Sequence, residues 1–405
     1  MPPTIPLESL QRGLGGTAAI QYQRRHAACY RATGAGKKGR RKRVQGKRVE
    51  GIDFWRGAAL AIILVNHIPG NVLGAITPRN FGFSDAAEGF VFLSGVSIAL
   101  AYGEKFRRSV VDAAASLYGR ALRLYGAHLG LTAAALALYG VASYFTPWDF
   151  LGSENSRAAP FADPARGVVG ILALSHQVAY FNILPLYVVL IALAPALFAC
   201  ASHGGLRMLA ASAAVYAAAR LLGFNVPTWP EPGYWYFNPF AWQFMFALGI
   251  YCGGALKTRG VPYHAVAHRL ALAFTIVSTL IVSNAFGLAP GLVDAAGRYL
   301  DWDKTDLGVV RIVDFIALAY VLHFSKITAA LSQTRLFPFF TLLGRNGLST
   351  YSSVSLLSAL GQILQEASLA SPALDVIFVV ACLGLLRRIA AAVEQFTLVA
   401  PAAAE

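Results

Sequence analysis

The chain has 405 residues, of which 56% are apolar and 13% are charged, and its mean hydropathy is +0.54. A soluble domain usually has about 25% charged residues, so this composition excludes a water-facing globular protein. The formal net charge of +14 is concentrated in residues 1–50, which hold 12 Lys and Arg against 2 acidic residues.

The first segment of the chain is a basic tail over residues 1–50, and its Gly, Lys and Arg content predicts disorder. Basic residues just before a first apolar segment hold an N-terminus in the cytoplasm and attract anionic lipid head groups. No folded module accompanies them, so nucleic-acid binding is not expected. The first long apolar run begins after residue 51, which is too late for a secretory signal.

Apolar segments of about 20 residues then follow one another and predict an all-α, polytopic transmembrane bundle of about ten helices over 51–390. A short cytoplasmic tail is predicted over 391–405. With both termini cytoplasmic, the inner loops and flanking ends hold 14 Lys and Arg, whereas the outer ones hold 7, as the positive-inside rule requires. The predicted spans are roughly 52–70, 86–103, 121–142, 180–200, 206–223, 239–256, 269–289, 309–329, 342–365 and 373–390.

The first span contains three ionisable residues, Asp53, Arg56 and His67, and such residues inside a membrane are functional candidates. Arg56 and His67 are three helical turns apart, so they share a face at a separation of about 16 Å. Asp53 precedes Arg56 by one turn, and the two side chains can form an ion pair. Two alternatives remain open: Arg56 can snorkel beside Asp53, and a lone helical His is usually a packing residue.

The stretch before and into the second span is also polar, with Arg79, Asp85 and Glu88 close together. Ser84 or Asp85 can cap the helix, since acidic side chains suit a helix N-terminus. Glu88 lies deeper and is less well explained by capping. Further polar residues are predicted on the same outer side, where aromatic residues form either an interfacial belt or a sugar-stacking surface. They include Asn238, Trp242, Gln243 and Arg311.

Several separated blocks of this sequence resemble the OpgC family of polytopic membrane proteins, which is linked to succinylation of osmoregulated periplasmic glucans. The blocks are D-F-W-R-G-A-A-L with N-H-I-P-G-N-V-L, T-P-R-N-F-G-F-S-D-A-A-E-G-F-V-F-L-S-G, Y-F-N-I-L-P-L-Y, F-N-P-F-A-W-Q-F and D-K-T-D-L-G-V-V-R. The family looks related to wider membrane acyltransferases, whose first helix carries Arg and His at the spacing of Arg56 and His67. That relationship leads us to expect histidine where this chain has Asp314 and Asn346.

The resemblance implies an acyltransferase of the bacterial inner membrane that takes an acyl group, succinyl from succinyl-CoA, to a periplasmic glucan. His67 is then expected to be the general base, oriented by Asp85 or Glu88, while Arg56 with Asp53 engages the CoA end. No ligand-type spacing of His, Cys, Asp or Glu occurs, so no metal is expected, and the oligomeric state is not predicted. Residues expected on the acceptor side are Arg79, Asn238, Trp242, Gln243 and Arg311.

A second function class also fits ten helices with buried charges, namely a transporter or flippase for a glycan or lipid-linked substrate. No internal repeat and no pair of matched broken helices is found in the sequence, which favours the enzyme. Acyl transfer by the purified protein distinguishes the two classes.

Overall fold

The computed structural model describes residues 49–399 apart from 153–155, 179, 285–294, 296, 298 and 368–370. Its described part is mostly helical, and the two strands, Pro227–Thr228 and Gly233–Tyr234, form one short antiparallel hairpin. This confirms the predicted all-α class. The basic tail lies outside the described residues up to position 48, so its disorder stays a prediction.

Fourteen α-helices occur within the described residues, together with two short 3-10 helices at Val72–Ile76 and Pro78–Asn80. In chain order the α-helices are α1 (Glu50–Asn66), α2 (Ala86–Arg108), α3 (Val110–Phe145), α4 (Ala159–Ala162), α5 (Pro164–Leu172), α6 (Ile183–Ser202), α7 (Gly205–Leu222), α8 (Pro239–Thr258), α9 (Ala265–Ser283), α10 (Val309–Phe324), α11 (Ile327–Leu331), α12 (Leu336–Arg345), α13 (Gly347–Glu366) and α14 (Pro372–Val399).

Seven helices of the described chain, namely α2, α3, α6, α7, α8, α9 and α14, are long and apolar enough to cross a membrane. The chain is therefore a multi-pass membrane protein. Each of the ten predicted segments contains a helix, but α1 and α10 have only 17 and 16 residues. Helix α13 has 20 residues and a buried row of Ser, Thr and Gln that faces protein rather than lipid. The count of ten spans and the cytoplasmic position of both termini stay predictions.

Some predicted boundaries are wrong. The predicted span 342–365 is interrupted at Asn346, between α12 and α13, and the helix of the predicted span 373–390 continues as far as Val399. The cytoplasmic C-terminal tail stays a prediction. The interruption lies where α12 crosses α1 at very short range. A Cβ atom on Gly344 would be 1.8 Å from the carbonyl oxygen of Asp53, and one on Gly57 would be 1.9 Å from that of Phe340. Only glycine permits this approach of two backbones.

The carboxyl ends of three helices meet at one end of the bundle and position the polar residues described below. His67 directly follows α1, Tyr139 lies in the last turns of α3, and Gln362 lies in the last turns of α13. The Tyr139 hydroxyl donates to Gln362 Oε1 at 2.6 Å, and Gln362 Nε2 donates to the carbonyl oxygen of His67 at 2.7 Å. This end is the predicted periplasmic side, and we call it the outer end.

Candidate active site

His67 terminates α1, and its N–H donates to the carbonyl of Ile63 at 3.0 Å. Its imidazole ring lies 5.0 Å from the ring of Tyr180, centroid to centroid. The ring atom Nδ1 is buried and has no hydrogen-bond partner among the described residues. Tyr180 has a φ of 67°, a left-handed conformation that is uncommon outside glycine and indicates a constrained position. We call the surface around His67, Tyr180 and Arg79 the outer mouth.

Arg56 and Asp53 lie three turns further into the bundle on the same helix. They form the predicted ion pair, with 3.6 Å between Arg56 Nη1 and Asp53 Oδ1. The guanidinium packs against Gly347, where a Cβ would be only 2.7 Å from Arg56 Nη2. Sequence reasoning missed a second arginine near this level, since both Arg56 and Arg120 act electrostatically on the buried Tyr187 hydroxyl. Arg120 belongs to α3, so only packing reveals this proximity.

Asp85 and Glu88 form the N-terminal cap of α2, as predicted for Asp85. Asp85 accepts from the N–H of Ala87 at 2.8 Å, and Glu88 Oε2 accepts from the N–H of Asp85 at 2.8 Å. The capping box leaves both carboxylates available to α10 and to the loop that precedes it. Arg311 Nε donates to Glu88 Oε1 at 2.6 Å, and Lys304 Nζ lies 2.5 Å from Asp85 Oδ2.

The expected contact between these carboxylates and His67 is not present in the structure. Asp85 and Glu88 bind Lys304 and Arg311 instead, because these cations compensate two acids that are buried side by side. Burial raises the pKa of Asp85, but Lys304 and Arg311 outweigh it and hold that pKa below its usual range. Burial opposes the charged form of Lys304, whereas Asp85 and Glu88 raise its pKa. Lys304 and Asp85 therefore form a charged pair within electrostatic range of His67.

Three residues expected on the acceptor side are buried and hold other segments in place. Asn238 caps α8 and donates to Asp306 Oδ1 at 2.7 Å, and the Trp242 indole donates to the carbonyl of Lys304 at 3.1 Å. Gln243 exchanges hydrogen bonds with Ser212 of α7. Asn238 and Trp242 thus fix the loop that carries Lys304, beneath the exposed surface.

A buried network below His67 was not predicted. The Arg157 side chain is only 4% exposed, stacks 3.9 Å over the ring of Tyr139, and pairs with Glu366 at 2.9 Å. It also donates to Gln362 Oε1 at 2.7 Å, so Gln362 joins Arg157 and Tyr139 to the backbone of His67. Arg157 lies between the predicted spans 121–142 and 180–200, and no local signal indicates its burial.

The two positions at which the resemblance predicts histidine have structural roles. Asp314 Oδ2 accepts from the N–H of Ser84 at 3.0 Å and from its hydroxyl at 2.6 Å, which holds the chain just before α2. Asn346 donates to the carbonyl of Leu342 at 3.1 Å, at the break between α12 and α13. Both side chains therefore stabilise helix ends.

Comparison with known proteins supports the family resemblance. The family model described as OpgC protein matches residues 47–397, nearly the whole chain. No curated protein and no solved structure matches the chain. The matched segment includes both ends of α1, the capping box of α2 and the network around Gln362. This family supports a membrane acyltransferase type of function in glucan modification. The chain belongs to the OpgC family.

Proposed function

We propose that this protein is an acyl-CoA-dependent O-acyltransferase of the bacterial inner membrane that transfers an acyl group, succinyl by family resemblance, to a periplasmic glucan. The observation that carries the proposal is the arrangement on α1, with Arg56 in its first half and His67 at its outer end. The two residues are about 16 Å apart on one face. The pantetheine arm of CoA is comparable in length to three helical turns, so one helix can contact both ends of it.

In the proposed reaction, the imidazole of His67 accepts the proton of a glucan hydroxyl while the hydroxyl oxygen attacks the thioester carbonyl carbon. The tetrahedral intermediate carries a negative charge on the former carbonyl oxygen. Its collapse breaks the carbon–sulfur bond, and the imidazolium returns the proton to the departing CoA thiolate. The products are a glucan ester and free CoA, and His67 is again neutral. The proposal involves no metal.

Lys304 has a role in this proposal that differs from the predicted carboxylate contact. It is a cation within electrostatic range of His67, so its charge favours the oxyanion of the tetrahedral intermediate. Asp85 binds the ammonium group at 2.5 Å and fixes its position. Asp85 and Glu88 are therefore proposed to act through Lys304 and Arg311 rather than by orienting the imidazole.

The CoA end is proposed to bind near Arg56 and Arg120. Two arginines that act electrostatically on one buried hydroxyl, that of Tyr187, create a positive region between α1, α3 and α6. Phosphate oxygens are preferred partners of guanidinium groups because they accept two parallel hydrogen bonds. Asp53 pairs with Arg56 and orients it.

The acceptor is proposed to bind over the aromatic residues of the outer mouth. Tyr236 is 47% exposed and lies within electrostatic range of both Tyr180 and Lys304. Exposed aromatic rings with polar edges suit the apolar faces and hydroxyls of a sugar. Trp235 is 4% exposed and is therefore excluded from such a stacking surface.

The rival function, a transporter or flippase, is favoured by one observation, the helix break at Asn346. Transporters often bind substrates where helices are discontinuous. Purified protein incubated with labelled succinyl-CoA and neutral periplasmic glucan distinguishes the two functions. The enzyme is expected to release CoA thiol and to form labelled glucan ester in equal amounts, with a protein-free reaction as the control. Movement of glucan into proteoliposomes without thioester consumption would support the transporter.

A further inference from the structure

The basic residues at the outer end differ in whether a carboxylate pairs with them, and the proposed reaction does not involve this difference. Arg79 alone has no carboxylate within ion-pair distance among the residues that the structure describes, whereas five other basic residues on the predicted outer side each have one. The pairs are Arg157 with Glu366 at 2.9 Å, Arg166 with Asp163 at 3.4 Å, Arg220 with Asp301 at 2.8 Å, Lys304 with Asp85 at 2.5 Å and Arg311 with Glu88 at 2.6 Å.

Hydrogen bonds on both sides of Arg79 hold the segment that contains it. The carbonyl oxygen of Gly74 accepts from the hydroxyl of Thr77 at 2.8 Å and from Nδ2 of Asn80 at 2.6 Å. At the start of the same segment, the N–H of Val72 donates to Asp375 of α14 at 2.8 Å. These bonds hold the backbone on both sides of Arg79, so its guanidinium extends from a defined position.

Arg79 lies near Tyr180, whose ring packs against the candidate base. A Cβ on Gly74 would be 3.0 Å from Arg79 Nη2, so the guanidinium lies directly over this glycine. Arg79 is also within electrostatic range of the Tyr180 hydroxyl, and the Tyr180 ring lies 5.0 Å from the ring of His67. A single aromatic side chain therefore connects the unpaired cation to the proposed reaction centre.

We propose that Arg79 binds the free carboxylate of a dicarboxylic acyl group and thereby selects such donors over plain fatty acyl donors. This inference rests on the proposed function. With the thioester carbonyl at His67, a short acyl chain that points outward ends at the outer mouth, where Arg79 is exposed. Guanidinium matches a carboxylate with two parallel hydrogen bonds, and no acid of the described protein competes for it.

An acidic substituent on the acceptor glucan would present the same chemistry to Arg79. The two sources differ in what the side chain discriminates. If the carboxylate belongs to the donor, Arg79 governs the choice between acyl-CoA molecules on a neutral glucan. If the anion belongs to the acceptor, Arg79 governs the choice between anionic and neutral glucans, whatever the acyl group.

The test compares succinyl-CoA with butyryl-CoA, in which a methyl group replaces the carboxylate at the same chain length. The full-length protein is assayed on neutral glucan for kcat/KM and, separately, for acyl-CoA binding by equilibrium titration. Wild type is expected to favour succinyl-CoA in both measurements. Arg79→Gln is expected to lower the succinyl-to-butyryl ratio by about 10- to 100-fold, the scale of a hydrogen bond to a charged group. Arg79→Lys is expected to keep part of the preference.

Arg166→Gln is the matched control, because Arg166 is an exposed outer arginine that already has a carboxylate partner, and it is expected to keep the wild-type ratio. An unchanged ratio in Arg79→Gln, or a wild type that binds both donors equally, would overturn the proposal. A loss confined to anionic glucans would assign Arg79 to the acceptor and also overturn it. If the protein binds succinyl-CoA more tightly than butyryl-CoA but forms no ester, the proposed enzyme is refuted while the carboxylate site is supported.

Discussion

At the scale of single residues, His67 is held through its backbone, while its ring forms no hydrogen bond with a carboxylate or an amide of the described residues. Its Nδ1 is buried and has no partner within the described residues, whereas its carbonyl oxygen is held by Gln362. A buried polar atom without a partner costs about 1–3 kcal/mol, which a folded protein retains only where something else compensates. The arrangement therefore fixes the backbone of His67 and leaves Nδ1 available for the proposed proton transfer.

Replacement of His67 by Ala is expected to leave insertion intact and to lower kcat for acyl transfer by about a hundredfold or more, the usual scale for a general base. The physical reason is that a sugar hydroxyl is a poor nucleophile until its proton is removed. Ester formation per folded molecule measures the effect. His203→Ala is the control. His203 is exposed and directly follows the carboxyl end of α6, which is the predicted cytoplasmic end of that helix. Normal turnover in well-folded His67→Ala would make His67 a packing residue.

Replacement of Gln362 by Leu tests whether the buried network positions His67. Leu removes the bond to the His67 carbonyl and leaves Arg157 and Tyr139 each without one partner. The expected loss in unfolding free energy is about 1–2 kcal/mol, measured by thermal melting. A positioning role further requires kcat to fall while KM for acyl-CoA changes little.

The control for Gln362→Leu is Gln333→Leu, an exposed position in the turn between α11 and α12. If Gln362→Leu melts early but keeps the wild-type kcat, the network stabilises the fold and does not position the base. Gln362→Glu retains the acceptor for Arg157 and Tyr139, so its kcat reports the lost bond to His67 separately.

At the level of helices, α2 and α8 also cross at very short range in the bundle core. A Cβ on Gly95 would be 2.2 Å from the carbonyl oxygen of Phe246, and one on Gly249 would be 2.1 Å from that of Phe92. Membrane helices associate through small residues because lipid supplies no hydrophobic drive to pack them. This crossing anchors the helix that carries the capping box of Asp85 and the helix that Asn238 caps.

Gly249→Ala is expected to lower the free energy of unfolding by about 1–3 kcal/mol. The reason is that the new methyl group would overlap the backbone of α2, which cannot move aside. Thermal melting of purified protein measures this change. Gly254→Ala is a matched substitution on the same helix, where an added Cβ has nothing within 4 Å, and it is expected to melt like wild type. Equal melting of the two variants would show that α2 and α8 separate readily.

For the whole molecule, the proposed reaction requires a fixed orientation, with the outer end of α1 in the periplasm. Lys and Arg concentrate on the opposite side, 14 against 7, and they set orientation during insertion. The hairpin at Gly233–Tyr234 then lies on the periplasmic side and the segment before α9 lies in the cytoplasm. Only this orientation lets cytoplasmic acyl-CoA and a periplasmic glucan reach the two ends of one helix.

Two tyrosines offer a matched test of this orientation, Tyr234, which is 68% exposed, and Tyr263, which is 56% exposed. In intact cells whose outer membrane lets a maleimide reagent pass into the periplasm, Tyr234→Cys is expected to react with a maleimide that cannot cross the inner membrane. Tyr263→Cys is expected to react only after lysis. The unsubstituted protein reports the background of native cysteines. The reverse labelling pattern would invert the topology and exclude the proposed route of the acyl group.

The sequence by itself determined the all-α membrane class and the register of Asp53 and Arg56 with His67. It also allowed the ion pair between Asp53 and Arg56 and limited the cap of α2 to Ser84 or Asp85. Each depends on hydropathy or on spacing within one helix, and neighbours along the chain decide it. Only the tertiary structure decided that Lys304 and Arg311 bind the acids of α2 and that Gln362 holds His67. It also buried Arg157 and left Arg79 without a carboxylate partner among the described residues. These partners come from helices far apart in sequence, and packing brings them together in ways that no local pattern encodes.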